Sequence, residues 1–310
     1  MDTKTNSDQQ APTPAEKRYA TDTVISADGT TIGYRQYGHG PGIVLVEGAT
    51  LSAHNFAQLA EAMADTFTVY VPDRRGRGMS DLPFSKDYDI QRDIEDLAAL
   101  LTQTGTHFVF GLSSGALISL QAALTLPAIR KVAIYEPPFF INGLPTALMA
   151  RLTKEIDQGK LAAALITGMK AGQMGPPILN SMPSFLIVPL IKMAMSQEEK
   201  KGSGEYLPMK VTAPTLQYDF KIVGEMHGKI ENFRNLNTET LLLGGSKSPA
   251  YLKADLDALE KVLPHATRIE FPGLDHGSAG NYDKQRNANG QPEVVARELR
   301  QFFGEPEHFC

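Results

Sequence analysis

Short apolar runs alternate with amphipathic helical patterns over much of the chain. Runs rich in β-branched, aromatic and leucine residues predict strands at 23–26, 31–37, 43–46, 67–71, 107–110 and 132–135. Between them, apolar residues recur at the spacing of one helix face, as in 56–63 and 90–101. Fully apolar runs such as 43–46 suit strands that are buried on both faces. The alternation therefore predicts an α/β fold with a doubly wound, mostly parallel sheet.

The alternation stops near residue 137 and resumes near residue 237. The intervening segment reads as helical or irregular and holds eight of the eleven methionines of the chain. Glycine and proline are expected to interrupt its helices at Gly175-Pro176-Pro177, Pro189 and Gly202. Strands are predicted again at 241–243 and 267–271, and a last helix is predicted after Pro292.

This pattern predicts one core that is split by a helical insertion. The expected organisation is a flexible leader over 1–18, an α/β-type core formed by 19–136 and 237–310, and a helical cap, or lid, over 137–236. The methionines of the insertion fit two interpretations, adaptable packing inside the cap and an apolar lid over a hydrophobic pocket. Both stay open at this point.

Composition narrows the class of protein. The net charge of −5 without clusters of lysine and arginine argues against a nucleic-acid partner. The single cysteine, Cys310, excludes a disulfide framework and a cysteine metal site. The N-terminal residues lack an apolar signal region, and the apolar stretch 185–195 is too short to cross a bilayer. We expect a soluble cytoplasmic protein without a membrane span; the oligomeric state does not follow from the sequence.

The motif Gly111-Leu112-Ser113-Ser114-Gly115 lies between a predicted strand and a predicted helix. Gly-x-Ser-x-Gly at such a junction is typical of a nucleophile elbow, a sharp turn that exposes a serine hydroxyl above the end of a sheet. The outer glycines leave room for the elements packed against the turn. Ser113 is therefore the candidate nucleophile; the alternative is a polar turn residue without chemistry.

Three further motifs accompany the elbow. They are Val46-Glu47-Gly48-Ala49, the turn from Asp73 to Ser80, and Pro272-Gly273-Leu274-Asp275-His276-Gly277. Together with the elbow, which comes third along the chain, these motifs resemble those of the α/β-hydrolase fold family. The resemblance covers roughly residues 20 to 305. Glu47 stands where that family usually has histidine. The arginines of the turn favour a solvated or loop-bracing role over an anion site, because no phosphate-cradling loop surrounds them.

The resemblance implies roles for individual residues. His276 would be the general base, and the backbone N–H groups of Ala49 and Ser114 would form the oxyanion hole. His54, in the loop after Gly48, and Met193, in the methionine-rich insertion, are candidate substrate-binding residues. No cofactor and no metal ion are expected.

The acid of the catalytic triad departs from the common family pattern. Ser248 stands where the family usually places aspartate, and serine cannot stabilise an imidazolium as a carboxylate does. Glu136, at the end of the preceding strand, is the candidate, and its position is similar to that of the acid in zearalenone lactonases. Asp219 and Asp255 are rival candidates, and a solvated strand-end carboxylate is the alternative interpretation of Glu136.

These observations predict a cofactor-independent serine hydrolase. Ser113, His276 and Glu136 would cleave an apolar ester or lactone through an acyl-enzyme. Two alternatives stay open, a catalytically silent or single-turnover ligand-binding protein of the same fold and a carbon–carbon bond hydrolase.

Overall fold

The computed structural model of the protein describes residues 18–80, 87–174 and 182–304. Eight strands in these residues form one sheet. They are β1 (Ala20–Ile25), β2 (Thr31–Gly38), β3 (Gly42–Val46), β4 (Thr68–Pro72), β5 (Phe108–Leu112), β6 (Lys131–Tyr135), β7 (Glu239–Gly245) and β8 (Ala266–Phe271). Most of the predicted leader, Cys310 and the Gly175-Pro176-Pro177 run lie outside the described residues.

The sheet has the strand order β1-β2-β4-β3-β5-β6-β7-β8. β1 and β2 form an antiparallel hairpin, and β2 is also antiparallel to β4. All other neighbouring strands are parallel. The carboxyl ends of β3, β5, β6, β7 and β8 therefore meet at one edge of the sheet, where open parallel sheets bind ligands.

The helices lie between the strands and in one long segment. They are α1 (Ala57–Met63), α2 (Ile90–Thr104), α3 (Ser114–Thr125), α4 (Thr146–Asp157), α5 (Leu161–Ala171), α6 (Ser184–Lys201), α7 (Met209–Thr212), α8 (Leu216–Met226), α9 (Ala250–Val262) and α10 (Pro292–Gly304). Helices α4 to α8 all lie between β6 and β7. We refer to residues 137–238 as the inserted segment.

Both faces of the sheet are covered by helices. Val44 and Val46 of β3 belong to an apolar cluster with residues of α2, α3, α8 and α9, whereas Ile43 and Leu45 belong to another with α1 and α10. This follows from strand geometry, because successive side chains point to opposite faces. The predicted doubly wound, mostly parallel α/β fold is confirmed.

The inserted segment has a small apolar cluster of its own. Leu152 of α4, Ala164 of α5 and Leu216 of α8 form it, and Ala49 of the core packs against it. One expectation for this segment is wrong: Pro189 lies inside α6 and does not end it, although it supplies no backbone N–H. Gly202 follows the last residue of α6, as expected.

None of the helices in the described ranges is both long enough and apolar enough to cross a bilayer. The longest of them, α6, contains Pro189 and Lys192. The expected cytoplasmic location stays a prediction.

Candidate active site

The elbow between β5 and α3 holds Ser113 in a strained backbone conformation. Its φ of 57° lies in the left-handed region, which residues other than glycine rarely adopt. A Cβ on Gly115 would lie 2.4 Å from the carbonyl oxygen of Val46, and one on Gly111 would lie 2.4 Å from that of Gly115. Gly115 therefore lets the turn pack against the end of β3, and Gly111 lets α3 pack against the end of β5. The backbone N–H of Ser113 donates to the Tyr135 carbonyl at 2.9 Å, which ties the elbow to β6.

Glu136 and His276 meet at the ends of β6 and β8. Nδ1 of His276 lies 2.7 Å from Oε2 of Glu136, and the other carboxylate oxygen accepts from the Gly245 N–H at 2.7 Å. The glutamate side chain is fully buried, and its φ of 49° is again left-handed. A carboxylate accepts only, so Nδ1 carries the proton and Nε2 is left as an acceptor.

Ser113 and His276 line the same cavity of about 410 Å³. This volume lies in the range of small-molecule sites. Among the described residues, no hydrogen bond joins the Ser113 hydroxyl to the imidazole; in unliganded enzymes such contacts often tighten only when substrate binds. Most of the lining is apolar and includes Phe140, Leu165, Met169, Leu216, Phe220 and Val223.

Ala49 and Ser114 also line this cavity. A Cβ on Gly48 would lie 3.1 Å from Cβ of Ser113, so the loop after β3 packs directly against the elbow. Ser114 is the first residue of α3, where backbone N–H groups have no partner within the helix. The two backbone donors assigned from the motifs therefore border the same space as Ser113.

Asp219 and Asp255, the rival acids, do not contact His276. Asp219 of α8 accepts from Arg74, Arg77 and Ser114. Burial alone would raise the pKa of Asp219, but the positive charges of Arg77 and Arg74 outweigh it and hold the pKa below its usual value. Asp255 accepts from the backbone N–H groups after β6, at 2.9 and 3.0 Å. Of the three candidate acids, the structure brings Glu136 to the imidazole.

The arginines of the turn after β4 are buried and paired. Arg74, Arg75 and Arg77 are each at most 5% exposed. Arg75 donates two hydrogen bonds of 2.6 Å to Asp96, and neither residue lines the cavity. The loop-bracing interpretation agrees with these contacts, and the solvated one does not.

Glu47 is a buried carboxylate beside these arginines. Its Oε1 accepts from the Arg74 backbone N–H at 2.8 Å, and its Oε2 has no partner among the described residues. Burial raises the pKa of Glu47 to about 7, against the lowering effect of Arg77 and Arg74.

His54 and Met193 are not among the residues that line the cavity. His54 contacts Arg35 and Glu205 and lies edge-on to the ring of Tyr206, with the centroids 4.4 Å apart. Met193 is 56% exposed on α6. The structure thus places both candidate binding residues outside the cavity.

One end of the cavity is polar, and sequence reasoning missed its residues. Tyr206, Asn281 and Arg286 line it. The Arg286 guanidinium lies 4.8 Å from the centre of the Tyr206 ring and donates to Glu198 at 2.9 Å. These residues lie in irregular segments without a periodic pattern or a motif, so the sequence carries no signal for them.

Residues 43–297 of the chain match the model of the Alpha/beta hydrolase family. A solved structure of an alpha/beta hydrolase from Sphaerobacter thermophilus is similar, with 31% sequence identity and a TM-score of 0.71. That similarity covers 91% of this chain and 100% of the other.

Two curated bacterial enzymes are also similar. N-formylmaleamate deformylase of Pseudomonas putida is 31% identical over 118 residues, 37% of this chain and 44% of that enzyme. 2-(Acetamidomethylene)succinate hydrolase of Mesorhizobium japonicum is 24% identical over 250 residues, 79% of this chain and 85% of that enzyme. The chain spans less than half of the length of N-formylmaleamate deformylase and of an uncharacterized hydrolase of Bacillus subtilis that is 32% identical over 121 residues.

Proposed function

The chain belongs to the alpha/beta hydrolase family, and we propose that it is a cofactor-independent serine hydrolase acting on an apolar ester or lactone. One observation carries this proposal. The Glu136 carboxylate lies 2.7 Å from His276 Nδ1, and the imidazole borders the cavity into which the strained Ser113 elbow opens. Nucleophile, base and orienting acid are the parts that acyl transfer through a serine requires.

The reaction follows from the protonation state of the imidazole. Ser113 Oγ attacks the carbonyl carbon while Nε2 of His276 takes the hydroxyl proton. Glu136 stabilises the imidazolium, which then gives the proton to the leaving alcohol. The oxyanion of the tetrahedral intermediate is held by the N–H groups of Ala49 and Ser114. Water then attacks the acyl-enzyme and gives a proton to His276, which returns that proton to Ser113 Oγ as the bond to the acyl group breaks and the acid leaves.

The inserted segment serves as a cap over this chemistry. Residues of α5 and α8, including Leu165, Leu216 and Phe220, give the cavity much of its apolar wall. An apolar wall favours a hydrophobic acyl or alcohol group. Arg286 and Asn281 at the polar end would accommodate an oxygen-bearing end of the same substrate.

Hydrolysis of an N-acyl bond is the second candidate. The two curated relatives are a deformylase of N-formylmaleamate and a hydrolase of 2-(acetamidomethylene)succinate. Serine, histidine and carboxylate cleave amides by the same acyl-enzyme route as esters. The ester or lactone is favoured because the wall contributed by the inserted segment, including Leu165, Leu216 and Phe220, is apolar and offers few polar partners for an amide N–H.

Labelling with a fluorophosphonate probe tests the serine nucleophile. Wild-type protein is compared with Ser113→Ala and with Ser196→Ala, a matched serine variant outside the cavity. Turnover is then measured on aryl esters, macrolactones and N-acyl amides. We expect labelling in the wild type and Ser196→Ala only, and turnover of esters or lactones ahead of amides. A folded wild type that neither labels nor turns over any substrate would favour a ligand-binding protein, and faster turnover of amides would favour the second candidate.

A further inference from the structure

The buried carboxylate of Asp219, in the inserted segment, accepts hydrogen bonds from Ser114 and from Arg77, and Arg77 in turn donates to Gly48. Asp219 is 2% exposed, and its partners Arg77 and Ser114 are each 1% exposed. Oδ2 of Asp219 accepts from Arg77 Nη2 at 2.7 Å, and Oδ1 accepts from the Ser114 hydroxyl at 2.7 Å. The mechanism proposed above assigns no role to Asp219 or Arg77.

Arg77 acts on one oxyanion donor, the Ala49 N–H, through the carbonyl oxygen of the same peptide group. Its Nη1 donates to the Gly48 carbonyl oxygen at 2.7 Å. The Gly48 carbonyl and the Ala49 N–H belong to one peptide bond, which is planar and trans, so the two groups point in opposite directions. Fixing the carbonyl therefore fixes the direction of the N–H. A charged donor on the carbonyl also polarises the peptide and strengthens the N–H as a donor.

Ser114 carries the second donor. Its hydroxyl donates to Asp219 and accepts from Nη1 of Arg74 at 3.2 Å, so the side chain is held by α8 and by the turn after β4. Arg74 in turn donates to the same carboxylate oxygen at 2.8 Å. The backbone of Ser114 at the start of α3 is thereby fixed relative to the loop after β3.

We propose that Arg77 and Asp219 are positioning residues which orient both oxyanion donors, the Ala49 N–H through the Gly48 carbonyl and the Ser114 N–H through the Ser114 hydroxyl. The proposal rests on the proposed serine-hydrolase function and deepens it. Because Asp219 lies on α8, the oxyanion hole has its full geometry only when this helix of the inserted segment is docked on the core. Substrate contacts of α8 and stabilisation of the tetrahedral intermediate are then coupled.

A graded set of variants tests this proposal. Asp219→Asn removes the charge but keeps the size, Arg77→Met removes the link to Gly48, and Ser114→Ala removes the hydroxyl while keeping its backbone N–H. Loss of one oxyanion donor lowers kcat by about 10²–10³-fold in related chemistry. We expect kcat to fall by about 10²-fold in Asp219→Asn and Arg77→Met and about tenfold in Ser114→Ala, with KM within about threefold of the wild type. The rate of Ser113 phosphonylation should fall in parallel.

Asp96→Asn is the matched control. It removes a buried carboxylate from Arg75 in the same turn but leaves Arg77, Gly48 and Ser114 untouched. It should lose stability like Asp219→Asn and keep the wild-type kcat. If Arg77→Met does not fold, Asp219→Asn and Ser114→Ala carry the test, because the first keeps the size of the side chain and the second removes a single oxygen atom.

Three outcomes overturn the proposal. The first is a wild-type kcat and labelling rate in Asp219→Asn and Ser114→Ala, which leaves the proposed function intact. The second is a pH profile of kcat/KM in Asp219→Asn that changes at the imidazole ionisation as much as the profile of Glu136→Gln does. That result would make Asp219 the triad acid. The third is a folded wild type without labelling or turnover, in which case the proposed function fails as well.

Discussion

The backbone N–H of Gly245 donates to Oε1 of Glu136 at 2.7 Å, while Oε2 of the same carboxylate faces His276. The acid at the end of β6 is thus held by the end of β7, the strand on which the family usually carries its acid. A Cβ on Gly244 would lie 3.0 Å from Oε1, so the glycine near the end of β7 leaves room for the glutamate side chain. The position of Ser248 is buried and its hydroxyl has no partner among the described residues.

Glu136→Gln should remove most of the activity and leave the fold intact. The amide oxygen can accept from Gly245, but the amide NH₂ then faces His276 Nδ1 and favours the tautomer that is protonated at Nε2. That tautomer cannot take the Ser113 proton, and we expect kcat to fall by about 10⁴-fold. Steady-state kinetics measure the loss of kcat, and thermal unfolding measures whether the fold is intact.

Asp275→Asn is the control for this variant. Asp275 precedes His276, but its carboxylate accepts from the Gly277 N–H and from Asn289 and does not contact the imidazole. Its kcat should stay within about tenfold of the wild type. If Asp275→Asn is as inactive as Glu136→Gln, the carboxylate that assists His276 has been assigned to the wrong residue.

Gly115→Ala should destabilise the protein strongly. The new Cβ would lie 2.4 and 2.5 Å from the carbonyl oxygens of Val46 and Glu47, and backbone atoms cannot rotate away as a side chain does. We expect the free energy of unfolding to fall by at least about 2 kcal/mol. In Gly224→Ala, on α8, the added Cβ would lie 3.5 Å from the nearest side-chain atom, and the better helix propensity of alanine should raise stability by up to about 1 kcal/mol. Equal effects in denaturant unfolding would contradict the close packing at the elbow.

Glu47 should make the stability of the fold depend on pH. Its pKa is about 7 in the folded protein and 4.5 in its ordinary, solvated state, because burial disfavours the charged form. Between these two values the unfolded chain loses the proton while the folded protein keeps it. Stability contributed by the neutral carboxyl is therefore present at low pH and is lost as pH rises towards 7.

Glu47→Gln isolates this effect, because the amide does not titrate. The free energy of unfolding of the wild type relative to Glu47→Gln should fall by about 3 kcal/mol from pH 4.5 to pH 7 and stay level above that. Denaturant unfolding of both proteins at each pH measures the difference. A difference that rises with pH would mean that Arg74 and Arg77 keep Glu47 ionised.

Local rules account for much of what the sequence predicted. The elbow follows from two glycines around Ser113, since the space around them is set by the adjacent strand and helix. The alternating apolar faces of β3 and its neighbours follow from strand geometry alone. Glu136 was predicted as the acid because Ser248 stands where the family usually has aspartate and because the position of Glu136 is similar to that of the acid in zearalenone lactonases; its carboxylate lies 2.7 Å from His276 Nδ1.

Other features depend on contacts between distant parts of the chain. Asp219 and Arg77 are 142 positions apart, and nothing in the pattern around either residue indicates that they pair. The same holds for Tyr206 and Arg286, which meet at the polar end of the cavity. The methionine-rich composition of the inserted segment likewise did not separate Met193, which is 56% exposed and lies outside the cavity, from Met169, which is 36% exposed and lines it.

These two methionines give a matched test of the cavity. Met169→Ala removes apolar wall and should raise KM for an apolar ester by about three- to tenfold with little change in kcat, because it removes contacts made equally to substrate and transition state. Met193→Ala removes a side chain that is 56% exposed on α6, and its kinetic constants should stay within about twofold of the wild type. Steady-state kinetics on one substrate series of increasing acyl length measure both variants. A larger rise in KM in Met193→Ala than in Met169→Ala would mean that α6 closes over the substrate during turnover. The apolar wall would then belong to a different arrangement of the inserted segment.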